Sequence, residues 1–291
     1  MAMRGLVALL VLVGVVAASC TTGTEPTTTG DEGTSSTSIT VPDDTERGIV
    51  TGVINGDTLQ VMIGSERRVI RLAGIRAPRD DECYAAEASR AVSEVAAGRT
   101  VAVVGGATDA DGTELRYLII EGDVPILVNM ELVDRGAAVA LHGHELAGDF
   151  LRVNDRAYAS GRGMWGTFVC GQPPDAVAAD RPQLRIQAVR TSTGDSSASV
   201  VIVNASYTEV ALDGWAIRDA SNASRFTFPR GTVLASGDEL NVAVTCESET
   251  ASGLSWCADS SLWSAGGNTL IIQDERGNVV DLYVHETGAT P

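Results

Sequence analysis

The sequence predicts a mainly β protein built from two domains, on three observations. Its 291 residues are enough for two ordinary hydrophobic cores. Between residues 47 and 171, β-rich runs separated by turn signals give way to helical patterns. Between 183 and 286, short β-runs broken by turns continue with no helical period. These patterns predict a β-barrel carrying helices, followed by an Ig-like β-sandwich.

The first 19 residues predict a targeting segment. Arg4 precedes an apolar run from Leu6 to Val16, and Ala17-Ala18-Ser19-Cys20 is a small-residue cleavage site. The run falls short of the ~20 residues that span a bilayer. A Cys directly after small residues resembles the bacterial lipoprotein box, although Ala17 stands where such boxes usually carry Leu. The resemblance implies a signal peptide over 1–19 and lipidation of Cys20; the alternative is ordinary secretion with cleavage after Ala18. Residues 20–46 are rich in Thr, Ser, Gly and acids and offer nothing to build a core. They predict a flexible tether with a mean span of roughly 28 Å.

In the first domain, Ile49 to Ile54, Thr58 to Ile63 and Arg67 to Ala73 are candidate strands, with turns at Asn55-Gly56 and Gly64-Ser65. Glu82 to Ala97 predicts a helix ended by Gly98. Thr100 to Val104 and Leu115 to Ile120 are two more strands. Val128 to Arg135 and His144 to Ser160 predict helices stopped by Gly136 and Gly161. Residues 172–182, with Pro173, Pro174 and Pro182, form an expected linker. About seven short strands follow over about 100 residues, the pattern of a sandwich. Residues 287–291 are an expected disordered tail.

Five cysteines occur, at 20, 83, 170, 246 and 257. An odd count in an exported protein leaves one with a separate fate, which lipidation of Cys20 supplies. The simplest pairing of the rest is Cys83–Cys170 in one domain and Cys246–Cys257 in the other, in an oxidising compartment. No Cys-x-x-Cys or Cys/His cluster supports zinc. The chain has 21 basic residues, all arginine, against 38 acidic ones, for a net charge of −17. That balance disfavours nucleic acid as a non-specifically captured partner. The lysine-free composition points to a high-GC bacterial genome.

Gly56-Asp57-Thr58, an apolar strand, Ile70-Arg71-Leu72 and then Gly74-Ile75-Arg76-Ala77-Pro78 form a motif that resembles the staphylococcal-nuclease (thermonuclease-like) family. The end of the domain, Ala157 to Cys170, contains the Gly-x-Gly-x-Trp segment of secreted members. The resemblance implies an OB-fold barrel. It also implies calcium-dependent phosphodiester hydrolysis, in which carboxylates hold the metal, a Glu activates water and two arginines hold phosphate. Position by position, Asp57 matches the first calcium carboxylate and Arg71 the first phosphate arginine. Arg76 replaces the second carboxylate and Arg79 the water-activating Glu. Ala77 stands where a Thr is common, and Thr113 takes the place of the second phosphate arginine.

These exchanges predict a degenerate site in which Asp57 is the one remaining metal ligand. Arg76 is expected either to pair with Asp57 and fill the metal position, or to point to solvent with Arg79. Asp80, Asp81 and Glu82 are expected as a solvated helix N-terminus; they and Arg116 are the neighbours through which activity could survive. His142 and His144 fall where relatives place aromatics beside the nucleotide and are candidate ligand contacts, a surface role being the alternative. Trp165, Trp215 and Trp263 read as core anchors.

In the second domain, Asn204, Leu212-Asp213-Gly214-Trp215, Phe228-Pro229 before a Gly-Thr turn, Gly237-Asp238 and Gly266-Gly267-Asn268-Thr269-Leu270 resemble the lamin-tail domain. The expected function is a lipid-anchored, extracytoplasmic protein that binds an unidentified envelope or extracellular ligand without catalysis, the membrane being its other partner. No cofactor is expected. The alternative is a calcium-dependent extracellular nuclease acting on DNA or RNA.

Overall fold

The computed structural model describes residues 41–172, 182–190, 198–246, 253–258, 262 and 267–285. Cys20, the targeting segment, most of the tether and linker, Trp263 and the C-terminal tail lie outside the described residues.

The N-terminal part is a closed barrel. Strands β1 (Glu46–Asn55), β2 (Thr58–Ile63) and β3 (Glu66–Leu72) form a meander. Strand β4 (Ile75–Arg76) and helix α1 (Ala85–Ala96) follow, then β5 (Thr100–Thr108) and β6 (Glu114–Ile120). The barrel order is β3-β2-β1-β5-β6, and parallel pairing of Ile70–Leu72 with Glu114–Arg116 closes it. Inward positions alternate as strand geometry requires: Leu59 and Val61, Ile70 and Leu72, and Val101 and Val103 are buried in one core. After β7 (Ile126–Leu127) come α2 (Val128–Asp134), β8 (Val139–Ala140), which pairs with β4, and α3 (Ala147–Ala159). Val92 of α1, Leu132 of α2 and Phe150 of α3 plug the same core.

Two helix starts differ from expectation. Helix α1 begins at Ala85, not Glu82, because Tyr84 is left-handed (φ 74°) and Cys83 is held in a disulfide to Cys170. Helix α3 begins at Ala147, because His144 turns inward onto Tyr117. Gly136, which ends α2, is demanded twice over: its φ is +64°, and a Cβ there would lie 2.1 Å from the Arg162 carbonyl oxygen.

The C-terminal part begins with β9 (Leu184–Arg190), β10 (Ser199–Asn204), β11 (Val210–Ala211) and β12 (Ala216–Asp219). It continues with β13 (Arg225–Thr227), β14 (Val233–Leu234), β15 (Glu239–Ala243) and β16 (Leu254–Ser255). It ends with β17 (Asn268–Gln273) and β18 (Val279–His285). One sheet runs β16-β15-β10-β9 and the other β13-β12-β17-β18. Val200, Ile202 and Val242 from the first face Ile217, Leu270 and Ile272 from the second, with Trp215, Phe226 and Phe228 between them. A second disulfide joins Cys246 to Cys257.

The two parts share an apolar seam. Trp165, Met164, Ala157 and Val139 pack with Ala220, Ile271 and Val279. Trp165 is therefore buried between domains, whereas Trp215 belongs to the sandwich core. Polar ties flank the seam: the Asn278 side chain accepts from the Cys170 amide and donates to the Gly171 carbonyl (both 2.8 Å), and His142 Nε2 lies 2.9 Å from Thr269 Oγ1.

Candidate functional site

The cleft is assembled from the β1–β2 turn, the end of β3 and the loop after β4. Gly56 brings these together by close approach: a Cβ on it would stand 2.7 Å from the Cβ atoms of both Ala77 and Ala88. Asp57 follows with 0% exposure. Its own carbonyl accepts the Leu72 amide at 2.8 Å, which ties the turn to β3.

The Asp57 carboxylate accepts four hydrogen bonds, three of them on one oxygen. Oδ1 accepts the Thr58 hydroxyl at 2.9 Å. Oδ2 accepts the Ala77 amide at 3.0 Å, Arg79 Nη2 at 2.7 Å and Arg79 Nε at 3.2 Å. The partner of Asp57 is thus Arg79, not Arg76. The chain geometry explains the difference: the Ala77 amide docks on Asp57, and Pro78 carries the chain on so that Arg79 returns over the same carboxylate.

Arg76 instead forms a two-pronged pair with Glu82 (2.5 and 2.7 Å), and Glu82 also accepts the Arg79 amide at 2.8 Å. Its Oε1 receives the Asn222 amide from the second domain. Neither arginine points freely into solvent, and Glu82 is not part of a solvated helix end; Asp80 and Asp81 remain exposed. Burial raises the Glu82 carboxyl. The bond from Arg76, the Arg79 amide, the Arg76 charge and the Asn222 amide outweigh it and bring Glu82 below the ordinary carboxylate value.

Arg71 on β3 pairs with Asp109, and its Nε is buried without a partner. Asp109 Oδ1 also accepts the amides of Asp111 (3.0 Å) and Thr113 (2.9 Å), so it organises the β5–β6 turn. Thr113 lies in that turn and brings no cation. Nor does Arg116 replace one: it pairs with Glu114 at 2.6 Å and donates to the Ala107 and Leu115 carbonyls.

The two histidines are not brought together. His142 meets Thr269 across the seam. His144 Nδ1 lies 2.8 Å from the Tyr117 hydroxyl, and its ring sits edge-on to Phe150 at 5.1 Å. Burial first, then the nearby His142, lowers the His144 imidazole against the opposing hydrogen bond from the Leu141 backbone. Among the described residues no three His, Cys, Asp or Glu side chains group as metal ligands.

Sequence reasoning missed the second domain's share in this site. Asn222 reaches Glu82, and the buried Arg218 of β12 adds its charge beside Arg76 and Glu82. The one signal was a charged residue inside the apolar run Trp215-Ala216-Ile217-Arg218.

Comparison with known proteins bears on the two domains. The model of the staphylococcal nuclease homologues matches residues 69–167, and that of the lamin tail domain matches 178–287. The chain is also similar to Protein ParB of Escherichia coli, 29% identical over 127 residues that cover 41% of this chain and 72% of that protein.

Proposed function

Since the chain joins a staphylococcal nuclease-like domain to a lamin tail domain, we propose that it is a non-catalytic binding or structural protein of the cell envelope. The observation that carries this reading is the Arg79 guanidinium on Asp57. Calcium needs several oxygen ligands with negative charge. Here the remaining family carboxylate accepts four donors, two of them from one cation, and the neighbouring carboxylate, Glu82, is held by Arg76. The residues present do not fit calcium. The water-activating position holds Arg79, which is always protonated and cannot act as a base. Arg71 is occupied by Asp109.

The two disulfides indicate an extracytoplasmic location. In this reading Cys20 carries the lipid and residues 21–46 hold the domains away from the bilayer. The rival reading is a calcium-dependent extracellular nuclease, favoured by the retention of Asp57 and Arg71 at their family positions. Incubating the purified protein with single-stranded DNA and with RNA, with and without calcium, separates the two. No cleavage above background is expected. Robust calcium-dependent hydrolysis abolished by Asp57→Ala would establish the rival.

A further inference from the structure

A cavity of about 390 Å³ opens along the seam between the domains and adjoins the nuclease cleft at Pro78 and Glu82. Its inner wall is built on β12 and β17. Ile217 faces the sandwich core, so its neighbour Arg218 faces the other way, and there the first domain covers it to 4% exposure. Arg218 donates Nε to Gln273 Oε1 at 3.1 Å and Nη1 to the carbonyls of Asp219 (3.0 Å) and Ala220 (3.3 Å). Arg225 Nη1 shares the same Gln273 oxygen at 2.9 Å, while Gln273 Nε2 is anchored on the Gly277 carbonyl at 3.0 Å. Two guanidinium groups are thereby held together on one neutral amide.

Neither has a counter-ion among the described residues. Among the described residues no carboxylate oxygen lies within 4.0 Å of the Arg218 or Arg225 nitrogens, and Arg218 Nη2 donates to nothing. The nearby acids are committed or remote. Glu82 is held by Arg76, Asp219 accepts from Ser221 and Ser224, Glu275 lies 3.9 Å from Arg276, and Asp81 sits exposed at the mouth. A buried, unpaired cation is costly, and proteins relieve that cost by pairing it. Burial, then the Arg76 charge, holds Arg218 down to about 10 against the partial relief of Glu82 and Asp219, with Arg225 adding to the repulsion. The same wall offers an acceptor: Asn222 Oδ1 is buried with no partner.

We propose that this interdomain cavity binds a small organic phosphate monoester, its phosphate on Arg218 and Arg225 and a hydroxyl donated to Asn222. The guanidinium fork matches phosphate oxygens, and a ligand hydroxyl supplies the donor that Asn222 lacks. The site stands whether or not the nuclease cleft retains hydrolysis, because its phosphate contacts are Arg218 and Arg225, whereas the cleft centres on Asp57, Arg71 and Arg79; the two adjoin at Glu82, which holds the Asn222 amide.

The test is calorimetric titration of the purified protein with glycerol 3-phosphate, inorganic phosphate and glycerol at matched ionic strength. Glycerol 3-phosphate should bind saturably at one site, inorganic phosphate more weakly and glycerol not at all. Arg225→Gln, at an exposed position that leaves folding intact, should weaken phosphate binding about tenfold or more. Arg218→Met should abolish it. Should Arg218→Met fail to fold, Arg225→Gln decides. Absence of saturable binding by either phosphate, or affinity unchanged in Arg225→Gln, would overturn the site. Equal affinity for the two phosphates would overturn the role of Asn222.

Discussion

Arg79 approaches Asp57 with Nη2 at 2.7 Å and Nε at 3.2 Å, both directed at the same oxygen, Oδ2. With the Ala77 amide on that oxygen and the Thr58 hydroxyl on the other, four donors meet one carboxylate. Three of the four crowd one oxygen and two of those belong to a cation, so the carboxylate's charge is already compensated where a metal would need it. Asp57 is wholly buried while Arg79 keeps 25% of its side chain exposed, so most of the desolvation falls on the acid.

That asymmetry sets the expected response to substitution. Arg79→Met leaves Asp57 buried with two neutral donors and should destabilise the protein by about 2–3 kcal/mol in urea unfolding. The double variant Asp57→Asn/Arg79→Met should recover part of that loss, with a coupling of about 1 kcal/mol or more. Strict additivity of the two single changes would show that the pair contributes nothing as a pair.

Glu82 gives the structure a signature in acid. Its folded-state value lies below the ordinary 4.5, so the native state binds fewer protons than the unfolded chain as the pH falls through that region. Its stabilisation is complete above about pH 4.5 and is lost as the pH drops through the lowered folded value. Glu82→Gln should therefore cost stability at pH 7 and flatten the stability–pH curve below 4.5. Glu114, also lowered, leaves a residual slope, whereas half-buried Asp281, raised by its desolvation, opposes it. Parallel curves for wild type and Glu82→Gln would show that Glu82 does not report on the seam.

Much of this fold was legible because its periodicities are local. The Asn55–Thr58 and Gly64 turns, the Asp57 and Arg71 positions and the words around Trp215 each lie within a few residues of one another. What escaped was set by contacts distant in sequence. Nothing near Glu82 announces Asn222, 140 residues away, as its partner. Arg218 interrupts an apolar strand, and a one-sided sheet would have left it in water; only the docked first domain makes that face interior. The exchange of roles between Arg76 and Arg79 is likewise a matter of which side of Pro78 turns back on Asp57, and spacing alone does not encode it.

Attachment through Cys20 predicts a simple fractionation result. Wild type should sediment with membranes, and Cys20→Ser should appear in the soluble extracytoplasmic fraction or the medium. Wild type found wholly in the medium would remove the anchor while leaving the disulfides and both domains unaffected.

The cleft itself offers the most demanding test. Wild type should show no calcium-dependent rise in melting temperature, since a guanidinium both occupies the position and repels the ion. Arg79→Glu removes that cation and sets a carboxylate near Asp57; Arg76→Asp adds a second one and frees Glu82 from its pair. The double variant should gain a saturable, calcium-dependent rise in melting temperature. Magnesium should do less, because it demands a tighter octahedral shell. Cleavage of single-stranded DNA should stay weak until Thr113→Arg supplies the missing phosphate clamp, and further Asp109→Asn should help by releasing Arg71. Calcium stabilisation of the unmodified protein would mean that Arg79 leaves Asp57 in solution and that the acids at 80–82 supply the ligands, and the account of the cleft given by its charge pairs would then be wrong.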